Sequence, residues 1–243
     1  MKRILYLALA TAAALMLVTA CGDDDDGNGS SNGSSDEPGP NFLLADIEAL
    51  VQKQIDNVNA GLETGDPAGL DDEELREVLD DMVLLFADVP DGLQPLGGSY
   101  STNADAAAGL GAGPSEQQLD EWGRILGYRI DFQRTSPSES ASVTAISTSI
   151  SVYEDADGAQ LSFDDRVALA ESADWQQSHT ELEEFEQKVL SPDLPVDGLF
   201  WIRLSGYQQT GTNTRAFVTD DQIIFRIGQA WAFIGAVSTG RPS

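Results

Sequence analysis

The sequence has few of the residues that metal sites and hydrolases use. Among its 243 residues there is one cysteine, Cys21, and one histidine, His179. These two residues leave mainly carboxylates as metal ligands, which disfavours zinc. A Ser-His-Asp triad would depend on His179, yet no G-x-S-x-G sequence is present. The sequence therefore predicts no metal site, no cofactor and no catalytic residue. It favours a protein that is not an enzyme without deciding the question.

Basic residues are also scarce. The chain has 13 lysines and arginines against 41 aspartates and glutamates, and its formal net charge is -28. Such a chain repels nucleic acid and anionic headgroups. We therefore expect no nucleic-acid partner, and we expect a monomer. The acidic composition is typical of salt-adapted proteins but also follows from genome composition, and the sequence does not separate these origins.

One long hydrophobic run stands at the N-terminus. Lys2 and Arg3 precede ILYLALATAAALMLV, which has no charged residue. A membrane-spanning helix needs about 20 apolar residues and is followed on its cytoplasmic side by basic residues. This run is shorter, and four aspartates follow it closely, at 23–26. Residues 1–20 are therefore predicted to be a signal peptide that is removed.

The end of this segment carries a recognisable motif. Val18, Thr19, Ala20 and Cys21 resemble the lipobox of bacterial lipoproteins, in which an aliphatic residue and two small residues precede a cysteine. The resemblance implies cleavage after Ala20 and lipidation of the Cys21 thiol, with palmitate-type acyl chains. It also implies anchoring on the outer face of the cytoplasmic membrane, or in the outer membrane where the organism has one. The alternative is an ordinary secreted protein whose cysteine is incidental.

Composition divides the remaining chain into a tether and one domain. Residues 21–41 are rich in Gly, Ser, Asn and Asp, which predicts a disordered acidic tether with a mean span on the order of 25 Å. Residues 42–243 are long enough for a single domain with a full core. Because a lone cysteine forms no internal disulfide, apolar packing must stabilise that domain, and 41% of the residues are hydrophobic.

Hydrophobic periodicity predicts the elements of the domain. Apolar residues spaced three and four apart predict helices at 43–62, 66–90, 115–127, 155–172 and 180–190. Alternating apolar and polar residues predict strands at 128–134, 144–153, 198–208, 214–220, 222–228 and 230–239, with a weaker strand at 92–102. Tight turns are expected at Asp220–Asp221 and Gly228.

This order of elements predicts an α+β fold. We expect a mainly antiparallel sheet of about five to seven strands with helices packed on one face. The layout resembles small secreted α+β modules of bacteria, of the PsbP-like or extracytoplasmic sensor type. Since no diagnostic motif supports the resemblance, it implies no site residues.

One segment partly matches a calcium-binding loop. DADG at 155–158 fits three positions of an EF-hand, but Tyr153 stands at the first ligand position and Asp164 at the twelfth. We therefore interpret the aspartates as an N-terminal helix cap.

A candidate ligand site follows from side-chain alternation. If the apolar residues Phe200, Ile202 and Leu204 contact the helices, residues of the opposite parity point away from them. Applied to three strands, this argument selects Arg129, Trp201, Arg203, Tyr207 and Arg226. Arginine binds carboxylate or phosphate, and tryptophan offers a flat apolar surface, so the group predicts a small anionic or sugar-like ligand. The alternative is a solvated face whose arginines pair with carboxylates.

These observations favour a lipid-anchored, extracytoplasmic binding or sensory module of unspecified role. A carboxylate-dependent hydrolase of envelope or glycan material is the alternative from another class, and a structural envelope protein is a further one. The abundance of carboxylates makes the choice of any catalytic pair uninformative.

Overall fold

The computed structural model describes residues 44–109, 113–135, 142–172, 182–209 and 215–240. The predicted signal peptide, the lipidation site Cys21, the tether and His179 lie outside these ranges, and the statements made about them above stay predictions. Within the described ranges, no helix is both long enough and apolar enough to cross a membrane.

The described chain contains helices and strands in the following order. The helices are α1 (Leu44–Thr64), α2 (Asp72–Met82), α3 (Asn103–Gly109), α4 (Glu116–Glu121) and α5 (Ala156–Ala170). The strands are β1 (Leu93–Ser101), β2 (Arg124–Arg134), β3 (Ser142–Tyr153), β4 (Glu183–Leu190), β5 (Gly198–Gln209), β6 (Arg215–Ile227) and β7 (Ala230–Gly240).

The strands form one antiparallel sheet. Their order is β1-β2-β3-β7-β6-β5-β4, and every neighbouring pair is antiparallel. The predicted α+β class and the predicted antiparallel sheet of five to seven strands are therefore confirmed. The predicted strands at 128–134 and 144–153 pair directly as β2 and β3.

Helices cover both faces of the sheet. The helices α1 and α2 bury one face, here called the hairpin face, in a core that includes Val51, Leu79 and Trp201. The helix α5 packs on the opposite face, here called the α5 face, where Phe163 and Phe200 share a second cluster. The one-face arrangement expected from the sequence thus holds for α1 and α2 and not for α5. The physical reason is that the central strands carry apolar residues at both parities, so both of their faces require cover.

A polar network fixes the end of α2 to the hairpin face. The helix was expected to continue to Pro90, but Val83 is already extended, with φ -93° and ψ 174°. The Leu84 backbone N–H donates to Thr148 Oγ1 at 3.4 Å, and Thr148 Oγ1 donates to the buried Gln54 Oε1 at 2.8 Å. These bonds draw the chain onto the sheet, so that α2 ends at Met82.

Three further segments differ from the sequence predictions. Residues 183–190 form the edge strand β4 instead of a helix, because pairing with β5 outweighs the helix propensity of glutamate and lysine. The strand β6 continues through Asp220–Asp221, where a turn was expected. Gly123, with φ +66°, ends α4 early, so that Ile125 and Leu126 belong to β2 and not to a helix.

Candidate functional site

The five residues predicted to share a site lie on two different faces. The cross-strand register places Trp201, Arg203 and Tyr207 on the hairpin face, because Trp201 pairs with Ile223 of the α1–α2 core. Arg129 and Arg226 lie on the α5 face, since Arg129 pairs with Ser149 and Arg226 pairs with Trp231. The single-face site expected from parity therefore does not form. The residues chosen to mark the helix face, Phe200, Ile202 and Leu204, contact α5 instead of the first two helices.

Two of the predicted ligand residues belong to a buried structural cluster. Asp221, only 2% exposed, accepts a hydrogen bond from Trp201 Nε1 at 2.7 Å. The same carboxylate accepts from Arg203 Nε at 2.8 Å and from Arg203 Nη2 at 2.9 Å. Trp201 is fully buried. These three side chains satisfy one another, and this bonding indicates a structural role for the cluster.

Tyr207 and Arg226 also have partners within the fold. Tyr207 packs edge-on against Phe217, with ring centroids 5.4 Å apart, and the Arg215 guanidinium carbon lies 4.0 Å from its ring centroid. Arg226 Nη1 donates to the Gly228 carbonyl at 3.1 Å and lies 3.5 Å from an Asp197 carboxylate oxygen.

Part of the α5 face gathers arginines and serines on β1, β2, β3 and α5. We call this surface the arginine–serine face, and its members are Ser99, Ser101, Arg124, Arg129, Ser147, Ser149, Ser151 and Arg166. Arg129 and Ser99 are exposed, whereas Ser149 is half-buried. The face is thus polar, accessible and built from small hydroxyl side chains around guanidinium groups.

Arg124 lies flat on the sheet within this face. Its Nη2 donates to Ser101 Oγ at 2.8 Å, and its Nε donates to Ser151 Oγ at 3.3 Å. The guanidinium passes directly over Gly127, so a side chain at this position would have to displace it. All of these partners are uncharged, and burial lowers the pKa of Arg124. A positive charge is therefore buried under the surface without a carboxylate bonded to it among the described residues.

Arg166 is held in place by the contact between α5 and the sheet. One helical turn before it, Ser162 Oγ accepts from the Tyr153 hydroxyl at 2.7 Å, and Tyr153 accepts from Trp231 Nε1 at 2.6 Å. Residues four apart share one side of a helix, so Arg166 lies on the side of α5 that faces β3. Desolvation lowers the pKa of Arg166, and the charge of Arg129 lowers it further, while Asp165 and Tyr153 act in the opposite direction. No hydrogen bond or ion pair joins the Arg166 guanidinium to another described residue.

Arg129 is engaged by one neighbouring carboxylate. Its Nε and Nη2 donate to Asp131 at 2.9 to 3.1 Å, and both side chains are more than one third exposed. An exposed pair of this kind contributes at most about 1 kcal/mol. Arg129 Nη1 takes part in none of these bonds, so the pair leaves a donor toward solvent.

The arrangement is suited to holding an oxyanion. Three guanidinium groups lie on one face of a chain whose net charge is -28, and the charges of Arg129 and Arg166 are close enough to interact. Asp131 is bonded to Arg129, and Asp105 acts on Arg124 through its charge without a hydrogen bond to it among the described residues. Guanidinium groups and hydroxyls are the donors that carboxylate and phosphate groups accept. Within the described ranges, no cluster of three or more His, Cys, Asp or Glu side chains could hold a metal ion.

Sequence reasoning found Arg129 but missed Arg124 and Arg166. The periodicity of 115–127 places Arg124 at the end of a helix, and the position of Arg166 on the sheet depends on how α5 docks. One signal was visible in the sequence, since Ser147, Ser149 and Ser151 alternate with the apolar residues of β3 and mark its polar face. No observation of the described residues favours a carboxylate-dependent hydrolase or a structural envelope protein.

A hollow elsewhere in the described structure does not resemble a binding site. It has a volume of about 270 Å³, lies between α2 and β1, and is lined by residues that include Phe86, Val89, Pro90 and Leu93. This lining lacks the convergent polar groups that orient small ligands.

Comparison with known proteins gives one distant structural likeness. No protein-family model matches the chain, and no curated protein matches it. The crystal structure of the extracellular domain of PknH from Mycobacterium tuberculosis is similar with a TM-score of 0.43 and 10% sequence identity. The similarity covers 66% of this chain and 85% of that one. We draw no functional inference from a likeness at this level.

Proposed function

We propose that the chain is an extracytoplasmic, lipid-anchored binding or sensory module that holds a small anionic ligand on the arginine–serine face. The observation that carries this proposal is that Arg124, Arg129 and the half-buried Arg166 lie on one face of the sheet among serine hydroxyls, while no carboxylate is bonded to Arg124 or Arg166 among the described residues. Charged groups that leave water are ordinarily paired, because an unpaired charge costs free energy. In a chain with 41 acidic residues, two neighbouring arginines without a bonded carboxylate among the described residues favour a place for an external anion.

The neighbours of Arg166 would complete the site. Arg129 Nη1 and the hydroxyls of Ser99 and Ser149 lie on the same face and supply further donors. Arg124 adds positive charge from within the surface. Each charge-assisted hydrogen bond to the ligand is expected to contribute about 1.5 to 3 kcal/mol.

The arginine test uses inorganic phosphate and acetate as probes, with binding to the full mature chain measured by titration calorimetry. Arg166→Gln is expected to weaken binding at least tenfold, since one charge-assisted hydrogen bond corresponds to about that factor. Asp131→Asn is expected to strengthen binding, because it frees the Nε and Nη2 donors of Arg129 and removes a negative charge.

The matched control is Arg215→Gln. Arg215 is an exposed arginine of the hairpin face whose guanidinium stacks on Tyr207. Binding by this variant should equal that of the unaltered chain. If Arg166→Gln left affinity unchanged, or if the control lost as much affinity as Arg166→Gln, the attraction would be general electrostatics and the proposed site would be refuted.

The anchor has a separate test. The lipobox resemblance of residues 18–21 motivates it, and Cys21→Ser should leave the precursor unlipidated and uncleaved. Mass spectrometry of the membrane fraction should show an acylated Cys21 at the N-terminus of the mature chain. An unmodified thiol there would refute the anchor without affecting the binding proposal.

A further inference from the structure

A row of small and polar residues crosses the α5 face beside the arginine–serine face. The register joins Gly97, Asp131, Ser147, Gly235 and Gln222 across five adjacent strands, and directly paired residues point to one face of a sheet. Gly97 is exposed, and the other four are half-buried. We call these five residues the polar row. Its two glycines have no side chains, so nothing projects from the sheet at these positions. The amide and hydroxyl groups of the row donate and accept hydrogen bonds, and its carboxylate accepts them.

An aromatic ring extends into the polar row. Phe233 precedes Gly235 by two residues on β7, and its ring atoms Cζ and Cε1 would stand 3.0 and 3.2 Å from a Cβ atom at Gly235. A glycine inside a strand marks a place where another group approaches the backbone closely, and here that group is the ring. Phe233 is half-buried. The row therefore combines polar side chains with one flat apolar surface.

The spacing relates this row to the arginines. Arg129 and Asp131 are two residues apart on β2, which corresponds to about 6.6 Å along the strand. Phe233 pairs directly with Ser149, and Ser149 pairs directly with Arg129. The Arg129 guanidinium itself donates to Asp131, so the cationic part of the surface adjoins the polar row, and Phe233 lies two strands from Arg129, about 10 Å across the sheet.

Resting on the proposed function, we propose that the anionic ligand is an acidic saccharide. Its carboxylate or phosphate group binds Arg166 and Arg129, its ring lies on Phe233, and a hydroxyl donates to Gln222 Oε1, because Gln222 Nε2 already donates to Asp220 and Asp131 already accepts from Arg129. A sugar ring has hydroxyls at its rim and C–H groups on its faces, so it needs planar polar side chains beside an aromatic surface. The open sheet face accepts a residue within a longer chain as well as a free sugar.

The experiment compares acidic sugars with their bare anions and with a neutral sugar. Titration calorimetry on the full mature chain uses glucuronate against acetate, glucose 6-phosphate against phosphate, and glucose alone. The expected result is that at least one acidic sugar binds tenfold or more tightly than its bare anion, and more tightly than glucose. The two pairs also show whether the anionic group is a carboxylate or a phosphate.

Two variants test whether the polar row and Phe233 cause the tighter binding of the acidic sugar. Phe233→Leu keeps apolar volume but removes the flat ring, and Gln222→Ala removes a polar group without altering the core. Each should reduce the affinity for the acidic sugar toward that of the bare anion and leave the bare anion unaffected. Gln52→Ala removes a half-buried amide on α1 that donates to Asp56, far from the proposed site, and serves as the control, with no expected change. If Phe233→Leu failed to fold, Gln222→Ala would still give the answer.

The outcomes separate this inference from the proposed function. Equal affinities for acidic sugar and bare anion would overturn the saccharide and leave the anion site standing. Binding of glucose as tight as that of the acidic sugars would overturn the role of the arginines. No binding of any of the probes would refute both proposals, and a gain that survived both variants would place the sugar elsewhere.

Discussion

The ion pair of Asp221 and Arg203 on the hairpin face allows a quantitative test of how much a buried, uncompensated charge lowers the free energy of unfolding. Asp221 is 2% exposed, and its two oxygens accept from Trp201 and from both donor arms of Arg203. We consider Arg203→Met, which removes the guanidinium but keeps most of the apolar stem. The change leaves the Asp221 carboxylate buried with the Trp201 N–H as its remaining hydrogen-bond donor among those described.

The size of the effect follows from the burial. Removing one partner of a buried ion pair costs about 3 to 5 kcal/mol, because the remaining charge is uncompensated. The Arg203 side chain is 23% exposed, which lets water reach the vacated space, so we expect about 3 kcal/mol. That loss is a large share of the roughly 5 to 15 kcal/mol that stabilises a typical domain.

A second substitution, Asp221→Asn, should change the free energy of unfolding in opposite directions in the unaltered chain and in Arg203→Met. Asp221→Asn alone weakens the pair and should lower the free energy of unfolding. In the Arg203→Met background the same change removes the uncompensated charge while keeping an acceptor for Trp201 Nε1, so it should raise that free energy. Urea denaturation followed by tryptophan fluorescence, applied to all four chains, gives the coupling energy. A loss below about 1 kcal/mol for Arg203→Met, or the same sign in both backgrounds, would refute the reasoning.

Three further predictions concern charge and titration. The melting temperature should rise between 0.1 and 1 M sodium chloride, because the Debye length falls from about 10 to about 3 Å and screens the self-repulsion of the acidic chain; a flat curve would show local compensation. Desolvation and the hydrogen bond to Asp80 raise the pKa of Tyr100 to about 12, so the folded state retains this proton longer than the unfolded state, and the free energy of unfolding should fall from pH 10 to 12. Absorbance at alkaline pH measures that pKa, Asp80→Asn should lower it, and an unchanged value would contradict the assignment. Arg166→Gln should change the free energy of unfolding by no more than about 0.5 kcal/mol, since the half-buried guanidinium has no hydrogen bond or ion pair with another described residue, and a clear loss in urea denaturation would indicate a structural partner.

Most of the described sheet could be predicted from the sequence, because five of its strands bury at least one face. Alternation predicts both β2 and β3, which pair directly, and Gly228, with φ +53°, forms the predicted turn between β6 and β7. Helix caps are equally local: Asp155 accepts from the Gly158 N–H, as the cap prediction requires, and Ser115 and Gln118 form a capping box. These features are local, and local residue chemistry determines them.

Features that depend on distant contacts could not be predicted. Residues 183–190 have few apolar positions, and only pairing with β5 makes them a strand. Asp220–Asp221 has the composition of a turn, but Asp221 is buried because Trp201 and Arg203 lie on the neighbouring strand. No window of residues around an aspartate contains that information, and the same limitation applies to the end of α2.

The candidate site shows the same limit more sharply. Alternation correctly separates the side chains of β5 into two sets, but it does not state which set α1 and α2 will cover. Because Phe200 and Trp201 are both large and apolar, either parity could be assigned to that core, and the structure buries both. On β3 the choice is unambiguous, since serines alternate with isoleucine and valine. A polar sheet face can therefore be predicted only on a strand whose other face is clearly apolar. The strand β3 meets this condition, and its serines belong to the arginine–serine face.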